Sequence, residues 1–259
     1  MKRPLIVAHR GYPSKAIENT IESFQFAFES GADFIEGDFW LTKDDEIVCI
    51  HDEDLVRVTN KTIAIRITDA KLNLIKSVNF YDERFNQRLI VPTIEEIITI
   101  IPPNKGLFFE VKDQRLKIIE VLKLKLERLR FPSELLKIIS YHPQILKYSK
   151  TILPEIKTYL IFDWFLMKEK CKNKIVLQRF LQLLTEINCD GIDLNYSSNI
   201  NEEFVKKIKQ AGFEIGIYDV NDENSIIKTK NLDVDFITTD YPDLALKILT
   251  EVIKINLST

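Results

Sequence analysis

Residues 33–52 read DFIEGDFWLTKDDEIVCIHD. Phe34, Ile35, Phe39 and Trp40 suit the interior of a sheet or barrel, yet Glu36 and Asp38 stand among them, two positions apart and so on one face of an extended strand. A pair of carboxylates in apolar surroundings costs on the order of several kcal/mol unless something positive neutralises it. The strand therefore expects a cation. A second apolar run, IVCIH, follows after only a turn around residues 43–46, which leaves no room for a helix, so a hairpin and a helix-free crossover both fit.

Outward from this stretch, short apolar runs of strand character recur as LIVAH, GLFFEV, KIISY, KTYLIF, DGIDL, EIGIY and DFITT, and most are followed by a helical pattern. A helix is expected over 19–30, with Asn19 as N-cap and Glu22 three residues on, and others over 93–101, 114–129, 175–187, 201–211 and 242–255. Strand–helix alternation argues for a parallel sheet, and the number of units argues for a closed (β/α)8 TIM barrel. Nine runs are one too many for eight barrel positions. The excess falls in residues 36–51, where the second and third strands are joined without a helix. No repeat, low-complexity run or flexible linker breaks the chain, so residues 1–259 are expected to form one domain.

Composition sets the function classes to exclude. The 259 residues are 45% hydrophobic and 29% charged, enough for a large core and a solvated exterior. A net charge of -3, from 36 basic and 39 acidic residues, gives no general attraction to nucleic acid or acidic membranes. No apolar run approaches the ~20 residues of a membrane span. The start, MKRPLIVAHRG, is too poor in apolar residues for a signal-peptide core. Cys49, Cys171 and Cys189 are far apart and lack metal-ligand spacing, so a cytoplasmic, reducing location is expected.

Active sites of such barrels lie at the C-terminal ends of the strands. There this chain carries His9 and Arg10, Glu36 and Asp38, His51 and Asp52, and Glu110 with Lys112. Three carboxylates without thiolates suit a hard divalent cation, Mg²⁺ or Ca²⁺, better than zinc. Each group alone has a plainer explanation: a structural histidine, a solvated edge strand, a Glu110–Lys112 ion pair, an Asn19 helix cap, or an Asp240 turn before Pro242. His142 reads as structural. The plainer explanations together require several independent coincidences at one end of one barrel, and the convergence favours a site.

At these residues the chain resembles the glycerophosphodiester phosphodiesterase family. The matching motifs stand in order as AHRG, ENT, IEGD, IHDEDLVR and FEVKD, with weaker matches at ISYHP, GIYDVND and DFITTDYPD, so the resemblance covers nearly the whole chain. It implies metal-dependent hydrolysis of small glycerophosphodiesters to glycerol 3-phosphate and an alcohol. His9 and His51 become the acid/base pair, with His9 the base and His51 the acid. Glu36, Asp38 and Glu110 become metal ligands, and Arg10 and Lys112 phosphate contacts. Ile17 replaces the proline usual before the glutamate of the ENT motif, Asp45 replaces a common turn glycine, and Tyr218 stands where tryptophan is frequent. An aromatic face there packs on glycerol or an attached cation, which makes Tyr218 a substrate contact whose reach differs from tryptophan's.

Two rival functions follow. A lipid- or lysolipid-cleaving enzyme of the same superfamily would use the stretch FDWFLMKEKCKNK, residues 162–174, against a membrane; a short helix covering the pocket is the favoured reading of that stretch. A non-catalytic barrel that binds phosphorylated ligands needs neither histidine, so the presence of both argues against it. The sequence leaves the released alcohol and the oligomeric state open.

Overall fold

The computed structural model describes residues 3–163, 174–198 and 200–256 and gathers all nine apolar runs into one sheet. In chain order the strands are β1 (Leu5–Ala8), β2 (Phe34–Leu41), β3 (Ile47–Cys49), β4 (Tyr81–Asp82), β5 (Gln87–Arg88), β6 (Gly106–Val111), β7 (Leu136–Ser140), β8 (Lys157–Phe162), β9 (Gly191–Asn195), β10 (Glu214–Tyr218) and β11 (Phe236–Thr239). β4 and β5 form a separate two-stranded hairpin. Parallel pairing runs β1-β2-β6-β7-β8-β9-β10-β11 and returns to β1, which closes the barrel. β3 lies outside the ring. It pairs antiparallel with β2, Phe39 opposite Cys49 and Leu41 opposite Ile47, so the helix-free link is a hairpin.

The helices are α1 (Ile21–Glu29), α2 (Leu72–Lys76), α3 (Ile94–Ile100), α4 (Lys117–Leu129), α5 (Pro143–Ile152), α6 (Lys174–Glu186), α7 (Glu202–Gln210), α8 (Glu223–Asn231) and α9 (Pro242–Asn256). Their starts follow local chemistry. Thr93 and Glu96 close a capping box on α3, and Asn201 accepts from the Phe204 N–H at the start of α7. α4 starts three residues later than its pattern predicts, because the Asp113 carboxylate holds the Arg115 N–H and side chain in a loop. The cap of α1 is Thr20, whose Oγ1 accepts from the Ser23 N–H, and not Asn19. Asn19 sits at φ 58° and its side chain is committed elsewhere.

Alternation along the strands sorts two apolar layers. Ile6, Ala8, Ile35, Phe39, Leu107 and Phe109 point outward to the helices, while Val7, Phe34, Phe108, Ile139, Tyr159, Ile161 and Phe236 fill the barrel. The interior aromatics form a plug. Phe108 and Phe236 have ring centroids 4.8 Å apart, Tyr159 and Phe236 5.0 Å, and Phe34 meets Phe108 edge-on at 5.4 Å. Residues 42–105 form an excursion beside the mouth with its own apolar cluster, including Val48, Ile50, Leu55, Ile67 and Leu89. Of the stretch expected to cover the pocket or touch lipid, residues 164–173 lie outside the described residues. Among the described residues no helix is long and apolar enough to cross a membrane.

The plug also explains an interior glycine. A methyl group at Gly216 would overlap the ring of Phe236, itself wedged between Phe108 and Tyr159. Gly216→Ala is therefore expected to destabilise the protein by about 1–3 kcal/mol, the usual cost of overpacking a filled core. Urea unfolding measures it, and an unchanged midpoint would show that the ring has room to move.

Candidate active site

Parallel register between β2 and β6 sets Asp38 opposite Glu110, with Glu36 two residues earlier on the same inward face. The three carboxylates are buried, and one ligand oxygen from each lies within 4.8 Å of the others. Neither Glu36 Oε1 nor Asp38 Oδ1 has a hydrogen-bond partner. Buried carboxylate oxygens left unsatisfied are costly, and a hard divalent cation is the ligand such oxygens suit.

Protein cations cover part of the charge. Arg10, at φ 53°, turns its backbone N–H onto Glu36 Oε2 at 2.9 Å and sets its Nε 3.2 Å from Asp38 Oδ2. Lys112 Nζ lies 2.9 Å from Glu110 Oε1 and 3.4 Å from Asp38 Oδ1. Asn19 clamps Asp38 from behind: its Nδ2 donates to Asp38 Oδ2 at 2.8 Å, and its Oδ1 accepts from the Asp38 N–H and from the Cys49 thiol. The helix-cap expectation for Asn19 thus gives way to a role in orienting a carboxylate.

Both histidines are tethered through Nδ1 to a carboxylate. His9 Nδ1 is 2.8 Å from Asp240 Oδ1, and Asn221 donates to Asp240 Oδ2 at 2.8 Å. His51 Nδ1 is 2.7 Å from Asp52 Oδ1, and Arg57 ties Asp52 to Glu18, which also holds Arg10. Such tethers fix a ring's tautomer and direction. The Asp240 tether was hidden in the sequence because Asp240 meets His9 only when β11 closes on β1. Its one local signal, position just past a strand end before Pro242, is shared with ordinary turns.

His51 reaches the mouth by a different route from the one expected. It does not end a barrel strand; β2 overshoots the rim, and its hairpin partner β3 runs back, so that the Ile50 N–H donates to the Asp38 carbonyl at 2.8 Å and His51 follows directly.

The resulting cavity, about 230 Å³, is lined by His9, Arg10, Glu36, His51, Glu110 and Lys112 together with Tyr141, Asp193, Tyr218 and Thr238. Asp38 lies just behind this wall, fully buried. Tyr218 and Tyr141 share a hydroxyl contact of 3.1 Å at the rim. The residues given roles by the resemblance, His9, Arg10, Glu36, Asp38, His51, Glu110, Lys112 and Tyr218, thus meet at one mouth. A larger hollow of about 530 Å³ between the ends of α4 and α5 holds none of them, so chemistry and not volume marks the site.

The electrostatics follow from burial set against charge. Burial pulls the His9 imidazolium down, but the bond to Asp240 and the charge of Glu36 outweigh it and raise His9 to about 9. Burial, together with Arg10 and Lys112, holds His51 below its ordinary value although Asp38 opposes them. Burial and then the Asp38 charge raise Glu36, and burial and Asp38 likewise raise Glu110. Asp38 is held low, because Arg10 and Lys112 overcome its burial. Burial also pushes the Asp193 carboxyl well up, with Glu110 adding to it. His9 thus favours its proton and His51 does not, the reverse of the order the resemblance implies. A divalent charge beside Glu36 acts against the His9 proton, so the cation bears directly on that order.

Positive side chains gathered around a carboxylate cluster at a barrel mouth, with two oriented imidazoles beside them, define a barrel enzyme of phosphate-ester chemistry. The model of the glycerophosphoryl diester phosphodiesterase family matches residues 9–244, and the chain belongs to that family of enzymes. It is 30% identical to a glycerophosphodiester phosphodiesterase of Bacillus altitudinis, over 95% of this chain and 98% of that one. Its fold is similar to that of an Oleispira antarctica phosphodiesterase solved with the product sn-glycerol-3-phosphate, at TM-score 0.80 and 26% identity, with 97% of each chain covered. A Silicibacter pomeroyi structure shares the fold at TM-score 0.83 and 17% identity, covering 96% of this chain and 94% of that one.

The strained cluster has a signature in stability. Glu36 is raised on folding, so the folded protein takes up a proton from the unfolded carboxylate value near ~4.3 upward, and stability falls as pH rises through that window. In chelator, Glu36→Gln should therefore stabilise the protein more at pH 8 than at pH 5, by at least ~1 kcal/mol at pH 8 given ~1.4 kcal/mol per pKa unit. Thermal melts in EDTA at the two pH values read this out. Equal effects at both would mean that Glu36 titrates as an ordinary carboxylate.

Proposed function

We propose that this enzyme hydrolyses glycerophosphodiesters to glycerol 3-phosphate and an alcohol, with Glu36, Asp38 and Glu110 holding one Mg²⁺ or Ca²⁺. The observation that carries this reading is the buried carboxylate cluster with unsatisfied oxygens set between two tethered histidines. When bound, the divalent cation supplies Lewis-acid neutralisation of phosphate charge.

The chain's own groups do the rest. Arg10 and Lys112 gather the phosphodiester anion over the cluster. One histidine takes the proton of the attacking oxygen, from water or from a neighbouring glycerol hydroxyl, and the other gives a proton to the departing alcohol. Asp240 and Asp52 hold the two rings in place. Tyr218, at the rim, packs against the organic part of the substrate. A reducing compartment such as the cytoplasm suits the free, buried thiols of Cys49 and Cys189.

The decisive experiment offers the purified protein small glycerophosphodiesters, lysolipids and lipids, each with Mg²⁺ or Ca²⁺. Release of glycerol 3-phosphate from the small diesters is expected. Cleavage confined to lipid aggregates would favour the lipid-cleaving rival, and no turnover with either metal would sink the assignment. Lys112→Ala should lose ~2–4 kcal/mol of transition-state stabilisation, as loss of one anion-stabilising donor does; an unchanged kcat/KM reduces Lys112 to an ion-pair partner of Glu110.

The histidine roles separate by leaving group. A general acid is worth ~10² to 10⁴ in rate when the leaving group is an alkoxide and little when it departs as a stable anion. Of His9→Ala and His51→Ala, the variant that lacks the acid should be slow on glycerophosphocholine and recover much of its relative rate on a nitrophenyl diester of glycerol phosphate. The variant that lacks the base stays slow on both. If neither is slowed on the alkyl diester, the acid/base pair is wrong.

A further inference from the structure

Residues 17–20, between β1 and α1, carry two side chains that serve the site. Asn19 grips Asp38, and Glu18 Oε1 accepts from Arg10 Nη1 at 3.1 Å. Ile17, Asn19 and Thr20 are buried, and Asn19 takes the left-handed conformation, so the shape of this segment has to be imposed by its neighbours. The excursion supplies two of these holds. Arg57 Nη1 and Nη2 donate to Glu18 at 3.1 and 2.7 Å. Gln87, on β5 of the outlying hairpin, brackets the whole segment: its Oε1 accepts from the Ile17 N–H at 3.0 Å, and its Nε2 donates to Thr20 Oγ1 at 3.3 Å and to Glu22 Oε2 at 3.0 Å. The Ile17 N–H can only donate, which fixes the orientation of the carboxamide. One side chain thus commits its acceptor and its donors to partners 65 to 70 positions away.

We propose that Gln87 is a positioning residue of the active site, which fixes residues 17–20 in the shape that lets Asn19 orient Asp38 toward the divalent cation. The inference deepens the phosphodiesterase reading and rests on it. Gln87 does not line the cavity, so its influence runs through Asn19. A carboxamide suits the task, because it offers an acceptor and two donors in one rigid plane and the segment presents to it an N–H, a hydroxyl and a carboxylate. Hydrogen bonds are directional and apolar contacts are not. A side chain of similar volume without polar atoms would therefore cover the segment and leave its backbone free to turn. Any turn at Asn19 displaces both bonds by which it grips Asp38. Partners one layer outside a metal's ligands set the direction of those ligands, and Gln87 acts one layer further out. The excursion that carries His51 to the mouth thus also holds the carboxylate cluster from its other side.

The test replaces Gln87 by Leu and measures calorimetric affinity for Mg²⁺ and for Ca²⁺, with Gln87→Ala as a smaller change that guards against a folding defect of the leucine variant. Loss of an outer partner of a metal ligand costs ~10–100-fold in affinity, so Gln87→Leu should weaken cation binding by ~10-fold, the lower end of that range. The route through Asn19 has its own signature. In Asn19→Ala, which has already lost the grip on Asp38, adding Gln87→Leu should weaken binding by less than ~2-fold further, because residues that act through one contact are not additive. A merely structural glutamine would lower the melting temperature and leave cation affinity unchanged, and that result would overturn the proposal. So would a full additive loss in the double variant. A second readout needs neither cation nor turnover: the Asn19 side-chain amide resonance in nitrogen-edited NMR, identified by its absence in Asn19→Ala, should move in Gln87→Leu. If wild type binds the cation but cleaves no diester, the phosphodiesterase reading fails and the affinities still decide the role of Gln87. If wild type binds no divalent cation, the metal reading fails, and an Asn19 resonance unmoved by Gln87→Leu then overturns the positioning role on its own evidence.

Discussion

The structure depends on holding like charges together in a place without water. Glu36, Asp38 and Glu110 are forced into proximity by strand register, and the barrel around them excludes solvent that would screen them. Arg10 and Lys112 make the arrangement tolerable without neutralising it: both lie against Asp38 and Lys112 also pairs with Glu110, yet burial and the Asp38 charge leave Glu36 and Glu110 resisting ionisation. Under the proposed function, the residual negative potential favours a divalent cation, and Arg10 and Lys112 would then share their charge with a phosphate.

Around that core, unusual backbone serves the same end. Arg10, Asn19 and Asp219 all occupy the left-handed region that non-glycine residues rarely adopt; Arg10 and Asp219 line the cavity, and Asn19 lies behind it against Asp38. At Arg10 the conformation aims a backbone N–H at Glu36. At Asn19 it accompanies the clamp on Asp38. Local strain is sustained because the neighbouring contacts over-determine each position, as with Arg10 held by Glu36, Asp38 and Glu18 together.

The barrel interior divides by depth. Below, an aromatic layer is dry and closely packed, and it gives the charged layer above it a rigid floor. Above, the hairpin of β2 and β3 and the excursion that follows bring His51, Asp52 and Arg57 over the carboxylates from outside the ring. Rigidity below and an added loop wall beside the mouth are the usual division of labour in barrel enzymes, where strands place charges and loops complete the chemistry.

The sequence by itself determined the barrel, because alternation of apolar residues with period two, separated by helical patterns, admits few other packings for nine short strands. It determined the carboxylate cluster too, since Glu36 and Asp38 at i and i+2, and Glu110 in a run as apolar as GLFFEV, have no ordinary reason to be buried. Motif order named the family, which the family model and the curated relative bear out. What it could not decide were relations between residues distant in the chain. Asp240 reaches His9 across 231 positions through barrel closure, Asn19 exchanges a helix cap for a bond to Asp38, and His51 arrives by an antiparallel return instead of a strand end. Asp193 and Thr238 looked like any polar residues in a strand until the closed barrel left their oxygens without partners. Local pattern records which face a side chain takes, whereas only the folded barrel, by fixing register and closure, records what stands opposite it.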